Sequence, residues 1–339
     1  MTRLVIVSNR LPVTIQKQGD VYVSLASSGG LATGLSALPD SMEKIWVGWP
    51  GSHFSEAEEP SVTNLLQQKG LIPVFLSEND IDTYYSGFCN RTIWPHFHYF
   101  TQYTSYKEEY WNAYVKINNR FAQILSNCIK PDDTVWIHDY QLMLLPGILR
   151  NNFPDLSIGF FLHIPFPSYE IFRTLPWRSD LLLGILGADQ VGFHTYGYMR
   201  HFLSAAYRIC GFEHHIGKVT TTNRVVNVDV FPMGIDYNKY AALPSVSELA
   251  DETMNIGNLG KGKKIIISLD RLDYTKGIPQ RIQAFARFLD LHPEYIGLVT
   301  LVLVVIPSRS QVTQYRDLKK TLNTLVSEVN STYGSFGWI

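Results

Sequence analysis

At 339 residues, with 45% of them hydrophobic, 13% aromatic and 17% charged, the chain has the composition of a globular protein and the length of about two domains. Its 29 basic and 30 acidic side chains nearly cancel, so no global field recruits nucleic acid or an anionic membrane, and any phosphate recognition has to be local. Cys89, Cys128 and Cys210 are widely spaced and form no C-x-x-C pair, which argues against a disulfide framework or a structural zinc site and fits a reducing cytoplasm.

The first element is the apolar run 4–7, too short for a signal-peptide core and followed by no cleavage pattern, so it reads as a strand and no secretion is expected. Ser8-Asn9-Arg10 comes directly after it. Arg10 therefore stands at a strand's carboxyl end, where open α/β sheets bind ligands, with an ordinary surface arginine as the alternative. The loop Ser27-Ser28-Gly29-Gly30-Leu31-Ala32-Thr33-Gly34 is small enough for its N–H groups to approach a phosphate or a sugar. Its spacing is not G-x-G-x-x-G, and a tight turn explains it equally well. Tyr84-Tyr85 and Trp94-Pro95 offer aromatic walls for a sugar face or, as readily, core. His96 with His98, and His214 with His215, lack further ligands at a recognisable spacing, so no metal is expected.

Trp111, Tyr114, Val115, Phe121, Ala122, Leu125 and Cys128 recur at helical spacing. The runs 135–137 and 158–162 read as parallel strands covered on both faces. They lead into His138-Asp139 and His163-Ile164-Pro165-Phe166-Pro167, which puts polar groups at two adjacent carboxyl-terminal strand ends. Phe231-Pro232-Met233-Gly234-Ile235-Asp236 and the polar stretch 245–264 after it mark a junction near Gly234, giving expected domains of 1–234 and 235–339. Beyond it come a strand at 265–269, a helix through Ile278, Ile282, Phe285, Ala286 and Leu289, and a Val- and Leu-rich run at 298–306. That last run is about half a membrane span in length and reads as a buried strand. A final helix carries Val312, Tyr315, Lys319, Leu322, Val326 and Val329. Strands alternating with helices give an α/β class. The second domain shows two strands where a doubly wound domain has about five or six.

The sharpest chemical feature is Asp270-Arg271-Leu272-Asp273-Tyr274-Thr275-Lys276-Gly277, between a strand and a helix. Arg271 and Lys276 meet a helix N-terminus whose N–H groups favour an anion, which suits a diphosphate. A surface loop in which Asp270 and Asp273 pair with those cations is the alternative. Pro307-Ser308-Arg309 repeats the arrangement, with a cation just beyond the strand at 298–306.

These segments, in this order, resemble the trehalose-6-phosphate synthases: S-N-R at Ser8, S-G-G-L at Ser28, G-W at Gly48, Y-Y at Tyr84, W-P-x-F-H-Y at Trp94, W-I-H-D-Y at Trp136, G-F-F-L-H-I-P-F-P at Gly159, D-R-L-D-Y-T-K-G at Asp270 and P-S-R at Pro307. The resemblance runs from Leu4 to Trp338. It implies a GT-B fold, two Rossmann-like domains facing each other across a cleft. The second is expected to be incomplete, because family members continue with an R-D-G-M-N-L-V-x-x-E-type segment that this sequence lacks.

The resemblance also implies the site. Arg10, Tyr85 and Arg309 would hold the phosphate of glucose 6-phosphate, and Trp94 and Asp139 would contact that acceptor sugar. Gly29, Gly30 and His163 would line the donor-glucose site, and Arg271 and Lys276 would grip the diphosphate of UDP-glucose or a related nucleotide-glucose. Asp139, His163, Arg271 and Lys276 form the expected catalytic set. The implied reaction is retaining transfer on one face of the sugar, giving α,α-trehalose 6-phosphate and UDP, with the departing phosphate oxygen taking the proton of the attacking hydroxyl. No protein nucleophile, cofactor or metal is expected, and no nucleic-acid or membrane partner; a homo-oligomer is left open. A noncatalytic sugar-phosphate-binding remnant or regulatory subunit of the same family is the alternative. An α/β dehydrogenase would need a G-x-G-x-x-G with an acidic residue about 20 positions on, and neither is evident.

Overall fold

The computed structural model describes residues 3–19, 21–27, 29–35, 38, 42–242, 263–307, 309 and 312–335. Ser28, Ser308, Trp338 and most of the polar stretch expected at 245–264 lie outside the described residues. The chain divides into two units, Met1–Asp236 and Tyr237–Ile339.

In the first unit β1 (Leu4–Arg10) is followed by a hairpin of β2 (Val13–Gln18) and β3 (Val21–Ala26), then by β4 (Lys44–Trp49) and β5 (Leu71–Pro73). After these come β6 (Thr134–His138), β7 (Ser157–Phe161), β8 (Gln190–Phe193), β9 (His214–His215), β10 (Lys218–Thr220) and β11 (Val225–Val230). A nine-stranded sheet runs in the order β5-β4-β1-β6-β7-β8-β11-β10-β9. It is parallel from β5 to β11 and antiparallel over β10 and β9. Val5, Ile6, Val7, Val135 and Ile137 are at most 1% exposed, as strands covered on both faces require. The chain leaves β1 for β4 and β5 on one side, then returns to β6, β7 and β8 on the other. Strand order therefore reverses between β1 and β6, and the crevice outside the carboxyl ends at such a reversal is where open α/β sheets take ligands. Arg10 ends β1, and Asp139 directly follows the last residue of β6.

The helical stripe expected around Tyr114 is the helix Glu108–Ser126, which buries Tyr110, Ala113, Tyr114, Ile117, Phe121, Ala122 and Leu125. Cys128 falls beyond its end, and Trp111 and Val115 are half-buried, so the buried stripe is turned slightly from the one read off the sequence.

A continuous helical segment over 78–97 is wound as a π-helix from Ile81 to Ile93, a rare form that gathers at functional sites. Its start is fixed by a reciprocal cap between Ser77 and Asp80, each donating its N–H to the other's side chain at 3.1 Å. Asp80 is buried and also receives Lys116 Nζ at 2.7 Å and Arg120 at 2.9 Å. Burial by itself would raise its pKa, but the bonds from Lys116, Ser77 and Arg120 outweigh it and hold the carboxyl at about 2, below its ordinary 3.8. A depressed folded-state pKa means that the stabilisation is complete above pH 3.8 and is lost as pH falls toward 2. Asp80→Asn is expected to cost roughly 3 kcal/mol in urea unfolding at neutral pH, and the gap from wild type should close across that acid window. A gap that persists at pH 2 would show that charge is not its origin.

In the second unit β12 (Lys264–Arg271) and β13 (Val299–Ile306) pair in parallel over all eight residues. The helices Ile278–Leu291 and Thr313–Tyr333 pack on them through Leu272, Ile278, Ile282 and Leu322, with Leu303, Val305, Leu318, Leu325 and Val329 around these. The run 298–306 reads in the sequence as a buried strand, and this is corrected, the strand beside it being exposed as well. Ile267 is 63% exposed, Leu269 62% and Ile306 56%, because among the described residues the helices cover one face only. Amide hydrogens of β12 should therefore exchange roughly tenfold or more faster than those of β1. Equal protection of the two strands in a verified monomer would overturn that expectation. Among the described residues no helix is long and apolar enough to cross a membrane.

Candidate functional site

The carboxyl end of β1 is held by its neighbour β4. The Trp46 indole donates to Ser8 Oγ at 2.7 Å, and Ser8 Oγ donates to the Arg10 carbonyl at 2.7 Å. A Cβ on Gly48 would lie 2.8 Å from the Ser8 carbonyl, so only glycine lets the two strands approach this closely. Gly51, at φ +97°, leaves room for the Arg10 guanidinium, with which a Cβ there would collide. That guanidinium lies 5.7 Å from the Trp49 ring, and Trp49 packs on Tyr85 with centroids 5.5 Å apart. Arg10 and Tyr85, expected together from the sequence, thus meet the same indole. Trp49 and Gly51 were not anticipated. The Gly48-Trp49 dipeptide was the available signal, but its role depends on a strand pairing the sequence does not display.

Of the two tyrosines, Tyr84 is wholly buried, its hydroxyl 2.9 Å from Asn9 Oδ1 and 3.3 Å from the Gln141 carbonyl. It ties the ends of β1 and β6 together and leaves Tyr85 half-exposed. Asn90 donates to the Tyr85 carbonyl at 2.8 Å and accepts from the Tyr140 hydroxyl at 3.1 Å, linking Tyr85 to the turn after Asp139. Trp94 is 7% exposed and packs on His98 at 4.2 Å and on Tyr140 at 5.8 Å. His96 is a core residue, its Nε2 2.9 Å from the Ile171 carbonyl and its Nδ1 3.2 Å from the Tyr106 hydroxyl.

Asp139 has φ +75° and ψ 171°, a region nearly confined to glycine, which costs about 1–3 kcal/mol and persists only where surroundings over-determine it. Here its N–H donates to the Phe161 carbonyl at 2.8 Å and its Oδ1 accepts the His163 N–H at 3.2 Å. The strained residue thereby locks the end of β6 to the segment after β7.

Three histidines then line up across adjacent strand ends. His138 Nδ1 is 3.0 Å from His163 Nε2, and His194 lies 5.5 Å from His163, ring to ring. Phe161 packs on both His163, at 4.6 Å, and His194, at 5.0 Å. Burial, and then the neighbouring His163, hold His138 well below the ordinary histidine range. Burial and then His194 bring His163 down to about 3, and burial lowers His194 as well. All three imidazoles are therefore neutral at neutral pH, each with one donor and one acceptor nitrogen, which suits hydroxyl groups better than phosphate. His194 was missed by sequence reasoning, since only the order β6-β7-β8 reveals that the three strand ends are adjacent.

Trp136, which packs on His138 at 4.4 Å, and Phe161 also line an apolar cavity of about 420 Å³ with Leu35, Gly192, Phe231 and Met233. Gly30 begins the short helix Gly30–Leu35, and Gly29 accepts the Thr33 N–H at 2.8 Å. A Cβ on either glycine would meet nothing within 4 Å. It is the far end of this helix, at Gly34 and Leu35, and not Gly29 or Gly30, that reaches the cavity lining.

In the second unit Arg271 ends β12 and Lys276 closes a short 3₁₀ turn before the helix Ile278–Leu291. Gly277, at φ +63°, makes the left-handed link between turn and helix. Pairing of Asp270 and Asp273 with Arg271 and Lys276 is not what the structure has. Asp270 accepts Arg281 at 2.7 Å, and Asp273 accepts Thr275 N at 3.0 Å and Arg309 at 3.3 Å. Arg271 and Lys276 are exposed and make no ion pair among the described residues. Arg309, expected to stand at a strand end as a second anion contact, has a side chain only 8% exposed and donates to the Tyr315 hydroxyl at 2.6 Å, which lies 3.1 Å from Asp273.

Comparison with known proteins gives this geometry its context. The sequence profile of glycosyltransferase family 20 matches residues 2–339. The "Alpha,alpha-trehalose-phosphate synthase [UDP-forming] A" of Dictyostelium discoideum is 45% identical over 338 residues, which are 99% of this chain and 46% of that protein. The chain thus spans about half the length of that relative. An E. coli structure bound with UDP-2-fluoro glucose superposes with a TM-score of 0.85 at 30% identity, over 99% of this chain and 72% of that one. A trehalose-phosphate synthase (UDP-forming) of Burkholderia xenovorans, solved with glucose-6-phosphate, gives 0.83 at 27% identity, over 99% and 73%. These likenesses carry the α/β, GT-B fold class expected from the sequence. With the profile running from its second residue to its last and strand-end motifs built as described, the chain belongs to glycosyltransferase family 20.

Proposed function

We propose that the protein is a retaining glucosyltransferase that moves glucose from UDP-glucose to glucose 6-phosphate, giving α,α-trehalose 6-phosphate and UDP. The observation that carries this reading is the charge sorting in the loop after β12. With Asp270 and Asp273 engaged by Arg281 and Arg309, Arg271 and Lys276 remain as two exposed cations suited to a diphosphate. The relatives named above are UDP-forming synthases, and two of the solved structures hold a UDP-sugar analogue and glucose-6-phosphate.

In this reading residues 1–234 form the acceptor-side domain, which also lines the donor glucose, and 235–339 form the partial nucleotide-sugar-binding domain. Arg10 and Tyr85, which both meet Trp49, hold the acceptor phosphate. Trp94 and Asp139 orient the acceptor sugar, and Gly29, Gly30 and His163 line the donor glucose. Neutral His163 contributes a hydrogen bond and no proton. The departing diphosphate oxygen takes the proton of the attacking hydroxyl, and Arg271 and Lys276 stabilise the charge that grows there. The cysteines Cys89, Cys128 and Cys210, none of them in a disulfide among the described residues, fit action in the cytoplasm.

The test is UDP release from UDP-glucose with and without glucose 6-phosphate, alongside calorimetry of each substrate. Acceptor-dependent release with retention at the anomeric carbon is expected. Binding of glucose 6-phosphate without turnover would instead favour a noncatalytic sugar-phosphate-binding member of the family.

A further inference from the structure

We propose that His138 is a positioning residue for His163: it takes up His163 Nε2 in a hydrogen bond between two neutral imidazoles, so that Nδ1 is the only ring nitrogen of His163 left for a hydroxyl of the donor sugar. The proposal rests on the assignment of His163 to the donor-glucose site. Its geometric basis is the 3.0 Å contact between His138 Nδ1 and His163 Nε2, with His138 wholly buried and His163 half-buried.

His138 serves no ligand itself. Its other nitrogen, Nε2, is buried and has no hydrogen-bond partner among the described residues. A buried polar atom left in that state is uncommon and costly, and it calls for an explanation. Packing alone would be served as well by phenylalanine, which would leave no orphaned nitrogen. A histidine here is explained by the bond its other nitrogen makes. That bond fixes the plane of the His163 ring, while the Asp139 carboxylate accepts the backbone N–H of His163 and so holds its main chain. It couples the two rings as well. If a ligand hydroxyl accepts from His163 Nδ1, then Nε2 is the acceptor and His138 donates; if the hydroxyl donates, both roles reverse. The pair can therefore meet a hydroxyl in either sense without any change of net charge, which burial disfavours.

The test has two arms. In the chain labelled with ¹⁵N-histidine, a scalar coupling between His138 Nδ1 and His163 Nε2 is expected without any substrate; its absence in the wild type overturns the proposal with no variant needed. In the second arm UDP-glucose affinity is measured by calorimetry for His138→Phe, His138→Asn and His163→Phe. His138→Phe should bind roughly tenfold more weakly, while His138→Asn, whose amide can still bond Nε2, should stay within about threefold of wild type. A purely structural role predicts the opposite order, because phenylalanine is close to histidine in size and asparagine leaves a void. Unchanged affinity in a folded His138→Phe, or Asn weaker than Phe, overturns the positioning role. Unchanged affinity in His163→Phe would remove His163 from the donor site, and with it the basis of the proposal, even where the coupling is present.

Discussion

Lys276→Ala is expected to lower the rate constant for glucosyl transfer by about 10²–10³-fold while weakening UDP-glucose binding less than about tenfold. Lys276 is exposed in the turn before the helix Ile278–Leu291, and its neighbours Asp270 and Asp273 are engaged by Arg281 and Arg309, so among the described residues no carboxylate competes for its ammonium. In the ground state the diphosphate charge is shared with the glycosyl bond. As that bond breaks, charge accumulates on the leaving oxygen, and a cation fixed beside it interacts more strongly with the transition state than with the bound donor. Only that difference enters the rate. Steady-state kinetics should show kcat and kcat/KM falling together; a rise in KM with kcat untouched would mean uniform binding and would remove Lys276 from leaving-group stabilisation.

Arg10→Ala should weaken glucose 6-phosphate binding by about 30–100-fold, measured by calorimetry, since one guanidinium can supply two charge-assisted bonds to a phosphate. Arg10→Lys should recover part of the charge but not the forked geometry, and so fall between. The preorganisation of Arg10 provides a second handle on the same claim. Gly51→Ala puts a Cβ where the guanidinium sits and strains a backbone at φ +97°, so it should approach the Arg10→Ala affinity without touching any ligand group. Wild-type affinity in both variants would take Arg10 out of the phosphate site.

What the sequence discloses and what it hides follow from the range of the forces involved. The strands at 4–7, 135–137 and 158–162 are legible because a strand covered on both faces must be continuously apolar. β4 and β8 are not, because Gly48 and Gly192 interrupt them, each placed by a neighbour in space: the β1 backbone for Gly48, the Phe161 ring for Gly192. In the site, Arg10, Asp139 and His163 could be named from strand ends and motifs. Trp49 and His194 could not, since their value lies in contacts across strands. Arg309 shows the same limit from the other side. Its motif marks it as a cation beyond a strand, but its confinement depends on Asp273 and Tyr315, placed by the packing of the helix Thr313–Tyr333.

The central position of β1 bears on how the unit can be made. β1 pairs on one side with β4 and on the other with β6, whose first residue, Thr134, comes long after Arg10. At bacterial to eukaryotic elongation rates that interval takes about 6–25 seconds, far longer than chain collapse. Throughout it the β6-facing edge of β1, apolar from Leu4 to Val7, has no partner, and the strand end at Arg10 is unsupported on that side. Nascent chains arrested before Thr134 should therefore be the ones that chaperones hold and proteases cut, and the crevice outside the ends of β1 and β6 is assembled only after the ribosome has passed the strand that ends at His138.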